Sequence, residues 1–262
     1  MEKRYLIDSG LTFYLCLMTL LSHGCINVGD VYKAKYEKTE KASVPVEGVA
    51  KLDVETHVGS ITITGDDVTD CNITAEITVR AQTKEEARKL AEEVKIESER
   101  SGDKLSIRTK RPAALKKRSL TVDFKIMAPR NLKLTCSAHV GTVKVSDIKG
   151  PVKASVNVGS VICSQVVADV ELESNVGDVE VKYADSAPGA CNAKITTNVG
   201  SIDFTGPPAL SAQVSATTNV GSIKTAMPIT VVGKVGKSVK GTIGSAEGKL
   251  HLKTNVGSIE IN

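Results

Sequence analysis

The sequence has no tryptophan, and aromatic residues make up only 3% of it. Beyond residue 50 the only rings are those of Phe124, Tyr183 and Phe204, apart from histidine. A groove that stacks bases needs aromatic platforms, so nucleic acid is excluded as a partner. A sugar cleft floored by rings is excluded on the same ground. Charge of one sign is also scarce. The 34 Lys and Arg against 30 Asp and Glu leave +4 over 262 residues, too little to imply nucleic-acid binding. The extended apolar run, Leu11 to Leu21, would rise about 16 Å as a helix, short of the roughly 30 Å core of a bilayer. With 41% apolar and 24% charged residues, the chain is nonetheless a folding composition.

What is present begins with an address. Lys3 and Arg4 precede the apolar run, and Gly24 and Cys25 follow it closely, so residues 1–25 read as a secretion signal. A small residue directly before Cys25 resembles a bacterial lipoprotein signal. That resemblance implies lipid attachment at Cys25, export to the bacterial cell envelope and a membrane partner reached through the anchor. With Ile26 next in the mature chain, it further implies an outer-membrane or surface lipoprotein. Residues 26–49 interleave Lys33, Lys35, Lys38 and Lys41 with Asp30, Glu37 and Glu40 and show no apolar period. They read as a charged, solvated tether.

From residue 50 onward one short pattern recurs. Val-Gly followed by Ser, Thr or Asp and then Ile or Val occurs at Gly59, Gly141, Gly159, Gly177, Gly200, Gly221 and Gly257. His57, His139, Asn157, Asn175, Asn198, Asn219 or Asn255 stands two before the glycine. Seven before stand Leu52, Leu134, Val152, Val170, Ala193, Val214 and Leu250, and the positions five and three before continue the alternation. Period two of this kind is a strand with one buried face. After the glycine the buried parity shifts to Ile61, Val143, Val161, Val179, Ile202, Ile223 and Ile259, so the chain turns a corner there. Successive glycines from Gly141 to Gly221 lie 18, 18, 23 and 21 residues apart. Strand, corner and strand at about 20 residues per turn predict a mainly β chain, a single β-solenoid. A β-sandwich is the rival, since short alternating strands suit it too. The last step, of 36 residues, predicts a degenerate coil near Gly236 or Gly244.

Between Gly59 and Gly141 the character changes. Thr83 with Glu86 forms a capping box, and Ala87, Leu90, Ala91 and Val94 follow at helical spacing, predicting an amphipathic helix over about 83–95. Ser101-Gly102-Asp103 predicts a hairpin turn. The solenoid domain is therefore drawn over 50–262, with a helix-and-hairpin insert at about 82–118 that caps one end.

The stretch from Val46 to Gly65, the strand Val122 to Pro129, the Val-Gly-Ser-Ile corners and the closing Gly241 to Ile259 together resemble the DUF4097 family of candidate adhesins. The similarity covers about 46–262. It implies a β-helical envelope protein and brings no catalytic residue to this chain.

Little else promises chemistry. Asp147, Asp169, Glu171, Glu173, Asp178 and Glu180 are scattered carboxylates, and no Ser/His/Asp set or phosphate loop accompanies them. His57 and His139 share a repeat position but lack a third ligand, so they are expected to line the turn, with no metal and no cofactor. Cys71, Cys136, Cys163 and Cys191 share parity with apolar neighbours and read as small buried hydrophobes. An oxidising envelope would also permit disulfides, whose pairing the sequence does not fix. Residues 104–130 hold nine Lys and Arg against Asp123 alone. Within them Lys110, Arg111, Lys116, Lys117 and Arg118 form a candidate anion-binding loop for envelope glycan or lipid headgroups. The other reading pairs that loop with the acidic helix through Glu85, Glu86, Glu92 and Glu93. The expected function is non-catalytic, an adhesin-like binding or scaffolding module that engages such an anionic surface or another envelope protein. An envelope-stress sensor and a carbohydrate-active enzyme are the alternatives.

Overall fold

The computed structural model describes residues 34–113, 115, 119–231 and 236–262. The chain begins with β1 (Ala34–Pro45), β2 (Lys51–Val58), β3 (Ile61–Asp66) and β4 (Asp70–Ala81). Helix α1 (Lys84–Glu93) and strands β5 (Lys95–Ser101), β6 (Lys104–Lys110) and β7 (Ser119–Pro129) follow. Paired strands then repeat: β8 (Lys133–Val140) with β9 (Val143–Ser146), β10 (Val152–Val158) with β11 (Val161–Val166), and β12 (Val170–Val176) with β13 (Val179–Tyr183). After these come β14 (Asn192–Val199) with β15 (Ile202–Thr205), and β16 (Ala212–Val220) with β17 (Ile223–Thr225). The chain ends with β18 (Thr230–Val231), β19 (Ser238–Ile243), β20 (Gly248–Val256) and β21 (Ile259–Ile261).

The fold is a mainly β solenoid in which each coil contributes one strand to each of two sheets. One sheet runs β1-β4-β7-β3-β9-β11-β13-β15-β21-β17, and the other β18-β19-β16-β20-β14-β12-β10-β8-β2-β6-β5. Within the stack the strands are parallel and in register: Val152 pairs with Leu134 on one side and Val170 on the other, and Ala154 with Cys136 and Leu172. Equivalent side chains therefore form columns, with Leu52, Leu134, Val152, Val170, Ala193, Leu250 and Val214 all buried. The sandwich rival has the two packed layers right. It fails on connectivity, because consecutive strands here alternate between sheets and pair parallel with the next coil.

Two departures from the sequence reading concern how the stack ends. The tether expected over 26–49 is, from Ala34 to Pro45, the edge strand β1, antiparallel to β4 along its whole length. Its charges did not reveal it because an edge strand is held by backbone hydrogen bonds and needs no buried face. Among the described residues no degenerate coil stands between the last two repeats. Instead β19 folds back antiparallel onto β16, β18 pairs antiparallel with the far edge of β19, and β20 inserts between β14 and β16. The coils thus stack in the order Gly200, Gly257, Gly221 rather than in chain order.

At the other end, β4 runs antiparallel to both β1 and β7, and β5 and β6 form a hairpin turned at Gly102. Helix α1 packs on β1 and β4 through buried Ala87 and Ala91. The Thr83 hydroxyl accepts the Glu86 N–H at 3.1 Å, and the Glu86 carboxylate accepts the Gln82 N–H at 3.2 Å. The charged hairpin strand β5, Lys95 to Ser101, leaves an edge unattractive to further strands.

Candidate functional site

The repeated corner is the most regular surface of the molecule. Its glycines have φ between 133° and 150°, a region that L side chains rarely adopt. They are also in contact with one another. A Cβ on Gly141 would meet the carbonyl oxygen of Gly59 at 1.9 Å, and one on Gly177 that of Gly159 at 2.1 Å. The ladder runs through the bend without interruption: the Gly141 N–H donates to Val158 O at 2.9 Å and the Gly159 N–H to Val176 O at 2.8 Å. Behind the corner a column of buried hydroxyls takes up the glycine carbonyls. Ser174, Thr197, Thr254 and Thr218 donate to the carbonyls of Gly159, Gly177, Gly200 and Gly257 at 2.8–2.9 Å. These account for most of the polar side chains in an otherwise apolar core.

Outside the corner lies a feature the sequence reading missed. Strict alternation would bury the valine just before each glycine. The bend turns it outward, and Val140, Val158, Val176, Val199, Val256 and Val220 are 39–59% exposed. With half-buried Val58 they form a ridge of seven, in register, about 29 Å long at a strand spacing near 4.8 Å. The signal was present: the same valine stands in all seven copies, at the point where the parity changes.

Beside the ridge runs a ladder of amides. Asn175 donates to Asn157 Oδ1 at 3.2 Å, Asn255 to Asn198 Oδ1 at 2.5 Å and Asn219 to Asn255 Oδ1 at 3.2 Å. His57 and His139 continue that column as stacked rings 4.9 Å apart. On the other side stand Ser60, Thr142, Ser160, Asp178, Ser201, Ser258 and Ser222. Among these corner positions only Asp178 carries a full charge, and its carboxylate accepts the Ser201 N–H at 2.7 Å.

The basic segment looks different in three dimensions. Lys110 pairs with Glu97 at 2.7 Å, Arg108 with Glu55 at 3.3 Å, Lys125 with Glu76 at 2.6 Å and Arg130 with Asp67 at 3.2 Å. These partners lie on neighbouring strands and loops, while Glu85 and Glu92 of α1 pair with Arg88. Arg111 donates to Leu115 O and lines a cavity of about 300 Å³ with Arg108, Thr109, Leu120 and Val122. Lys116, Lys117, Arg118 and the lipid-attachment candidate Cys25 lie outside the described residues.

The flat outer face of the second sheet carries an ion ladder, Lys153–Glu171–Lys194, at 3.0 and 2.9 Å. Hydrogen bonds from Lys194 and Lys153 hold the Glu171 carboxyl below its ordinary range, the opposite of what a general acid needs. Cys71, Cys136, Cys163 and Cys191 are buried free thiols. Burial pushes the Cys71 and Cys163 thiols up to about 12 and raises Cys136 and Cys191 as well, so none is an activated nucleophile.

Residues 38–262 match the profile of Toastrack DUF4097. The chain belongs to the DUF4097 family. Among solved structures, this DUF4097 chain is similar to a candidate cell-adhesion protein from Clostridium sporogenes. The two are 14% identical with a TM-score of 0.46, over 86% of this chain and 99% of the other. A candidate adhesin from Bacteroides fragilis is 16% identical with a TM-score of 0.41, over 86% and 97%. A candidate lipid-binding protein from Parabacteroides distasonis is 12% identical with a TM-score of 0.23, over 86% and 94%. At such values the likeness fixes no shared activity. No curated protein matches the chain.

Proposed function

We propose that this DUF4097 protein is a non-catalytic module of the bacterial cell envelope, anchored by lipid at Cys25, that binds or scaffolds a partner along its corner ridge. The observation that carries this reading is the column of exposed valines flanked by amides and hydroxyls. Contiguous exposed apolar surface rimmed by polar groups marks an interaction site. The strip is nearly uncharged on a chain that is 24% charged, which favours an uncharged stretch of envelope glycan or another envelope protein over anionic headgroups. Its binding would be insensitive to salt. The Glu171 carboxylate of the outer face is engaged in two ion pairs, which suits a display surface better than acid–base chemistry.

The test uses the full chain in vesicles, incubated with isolated bacterial envelopes at two salt concentrations. Val158, Val176 and Val199 are replaced together by Ser. The expected result is loss of envelope retention with an unchanged melting temperature, since these side chains lie outside the core. Equal retention by both proteins would remove the ridge as the binding surface. Cys25→Ser, followed with a fatty-acid probe, checks the anchor, and label persisting in that variant would place the lipid elsewhere.

A further inference from the structure

Seven strands bring a residue to the position two before the corner glycine, and five of them bring Asn. The two that bring His, β2 and β8, are neighbours in the stack, although 82 residues separate His57 from His139. The intervening chain is looped out as the end strands and the helix. The imidazole centroids lie 4.9 Å apart with their planes within 3° of parallel, and both side chains are exposed.

We propose that His57 and His139 form an open site for a borderline divalent cation of the Cu²⁺, Ni²⁺ or Zn²⁺ class, each ring supplying one nitrogen. Imidazole is the side-chain donor best suited to these ions. With metal–nitrogen bonds of about 2.0–2.1 Å, two nitrogens on one ion lie at most about 4 Å apart. The stacked rings, 4.9 Å apart, are exposed and reach that separation by turning about their side-chain torsions until the in-plane nitrogen lone pairs converge. The backbone beneath them is already fixed, because Thr56 pairs with Ala138 and Val58 with Val140, and β6 and β10 hold the two strands from outside. The ion therefore meets two donors that folding has brought together.

The surroundings are mixed in charge. The rings sit in a shallow depression of about 440 Å³ that also presents Glu55, Glu173, Asn157 and Asn175, and no Lys or Arg is among its described lining residues. Glu55 is paired with Arg108 at 3.3 Å, and His57 also lines the cavity that presents Arg108 and Arg111, so Glu55 supplies no third bond and the imidazole nitrogens alone carry the site. Among the described residues no set of three His, Cys, Asp or Glu closes around an ion. The site is thus a two-point chelate whose remaining positions are open to water or to a donor from a bound partner. It is independent of the reading of the valine ridge.

The full chain is titrated with Cu²⁺ by calorimetry and by electron paramagnetic resonance. His57→Asn and His139→Asn each install the residue that five other coils carry, so the fold is expected to persist, checked by melting temperature. His251→Asn, on the outward face of β20, is the control. The expected result is a two-nitrogen spectrum and affinity at least about tenfold weaker in either corner variant, with the control unchanged. Unchanged affinity in the corner variants, an equal loss in the control, or a one-nitrogen spectrum in the unmodified chain would overturn the site. That last measurement decides even if a variant fails to fold.

Discussion

A side-chain carbon on Gly159 would lie 1.8 Å from the carbonyl oxygen of Gly141. The same relationship passes from coil to coil, so the glycine column is a line of direct backbone contact. Positive φ makes glycine favourable at such a bend, and the neighbouring carbonyl makes it obligatory.

Gly159→Ala is therefore expected to destabilise the chain by more than about 3 kcal/mol, because backbone rather than a flexible side chain must move. Gly102→Ala is the comparison. It shares a positive φ, 61°, but nothing lies within 4 Å of the added carbon, so only the left-handed penalty of about 1–2 kcal/mol applies. Denaturant midpoints of the two variants give the ranking, and equal losses would contradict the contact.

Thr254 is fully buried, and its hydroxyl donates to Gly200 O at 2.8 Å. Thr254→Val keeps the shape and removes the donor. The expected loss is about 1–3 kcal/mol, the cost of leaving a corner carbonyl without that partner. A neutral result would show that the carbonyl is adequately served by the ladder alone.

The buried thiols predict alkaline sensitivity. Cys71 and Cys163 are raised from 9.0 to about 12, so the folded chain keeps protons that the unfolded chain releases between those values. Their contribution is fully present below pH 9 and is lost as pH rises toward about 12. Stability measured across that interval should fall less steeply in Cys71→Ala or Cys163→Ala than in the unmodified chain. Parallel pH profiles would count against burial as the cause.

Thr83→Ala removes the acceptor for the Glu86 N–H and should cost about 1 kcal/mol, restored by Thr83→Ser. Hydrogen exchange over Lys84–Glu93 is the readout, and protection that matches the unmodified helix would show that packing on β1 and β4 holds it alone.

The unit of this fold was legible in the sequence because its causes are local. Alternation places Leu134, Cys136 and Ala138 on one face, and Gly141 resets the parity a few residues later, whatever lies in the next coil. The capped helix was legible for the same reason, since Thr83, Glu86, Ala87 and Ala91 interact within about two turns.

Which strand lies beside which was decided only in three dimensions. Every coil offers its neighbours the same parallel edge and the same apolar columns, so nothing in the repeat itself distinguishes β16 from β20 as the partner of β14. The choice follows from the whole chain: β19 occupies the far edge of β16 and leaves the closing strand its place between the two. Tertiary pairing likewise made an edge strand of the charged segment Ala34–Pro45 and brought His57 against His139 across the looped-out insert. The valine ridge depended on both levels. Its residues are written into every repeat, but their exposure arises because the bend carries each valine out of the core, and their continuity because the coils stack in register.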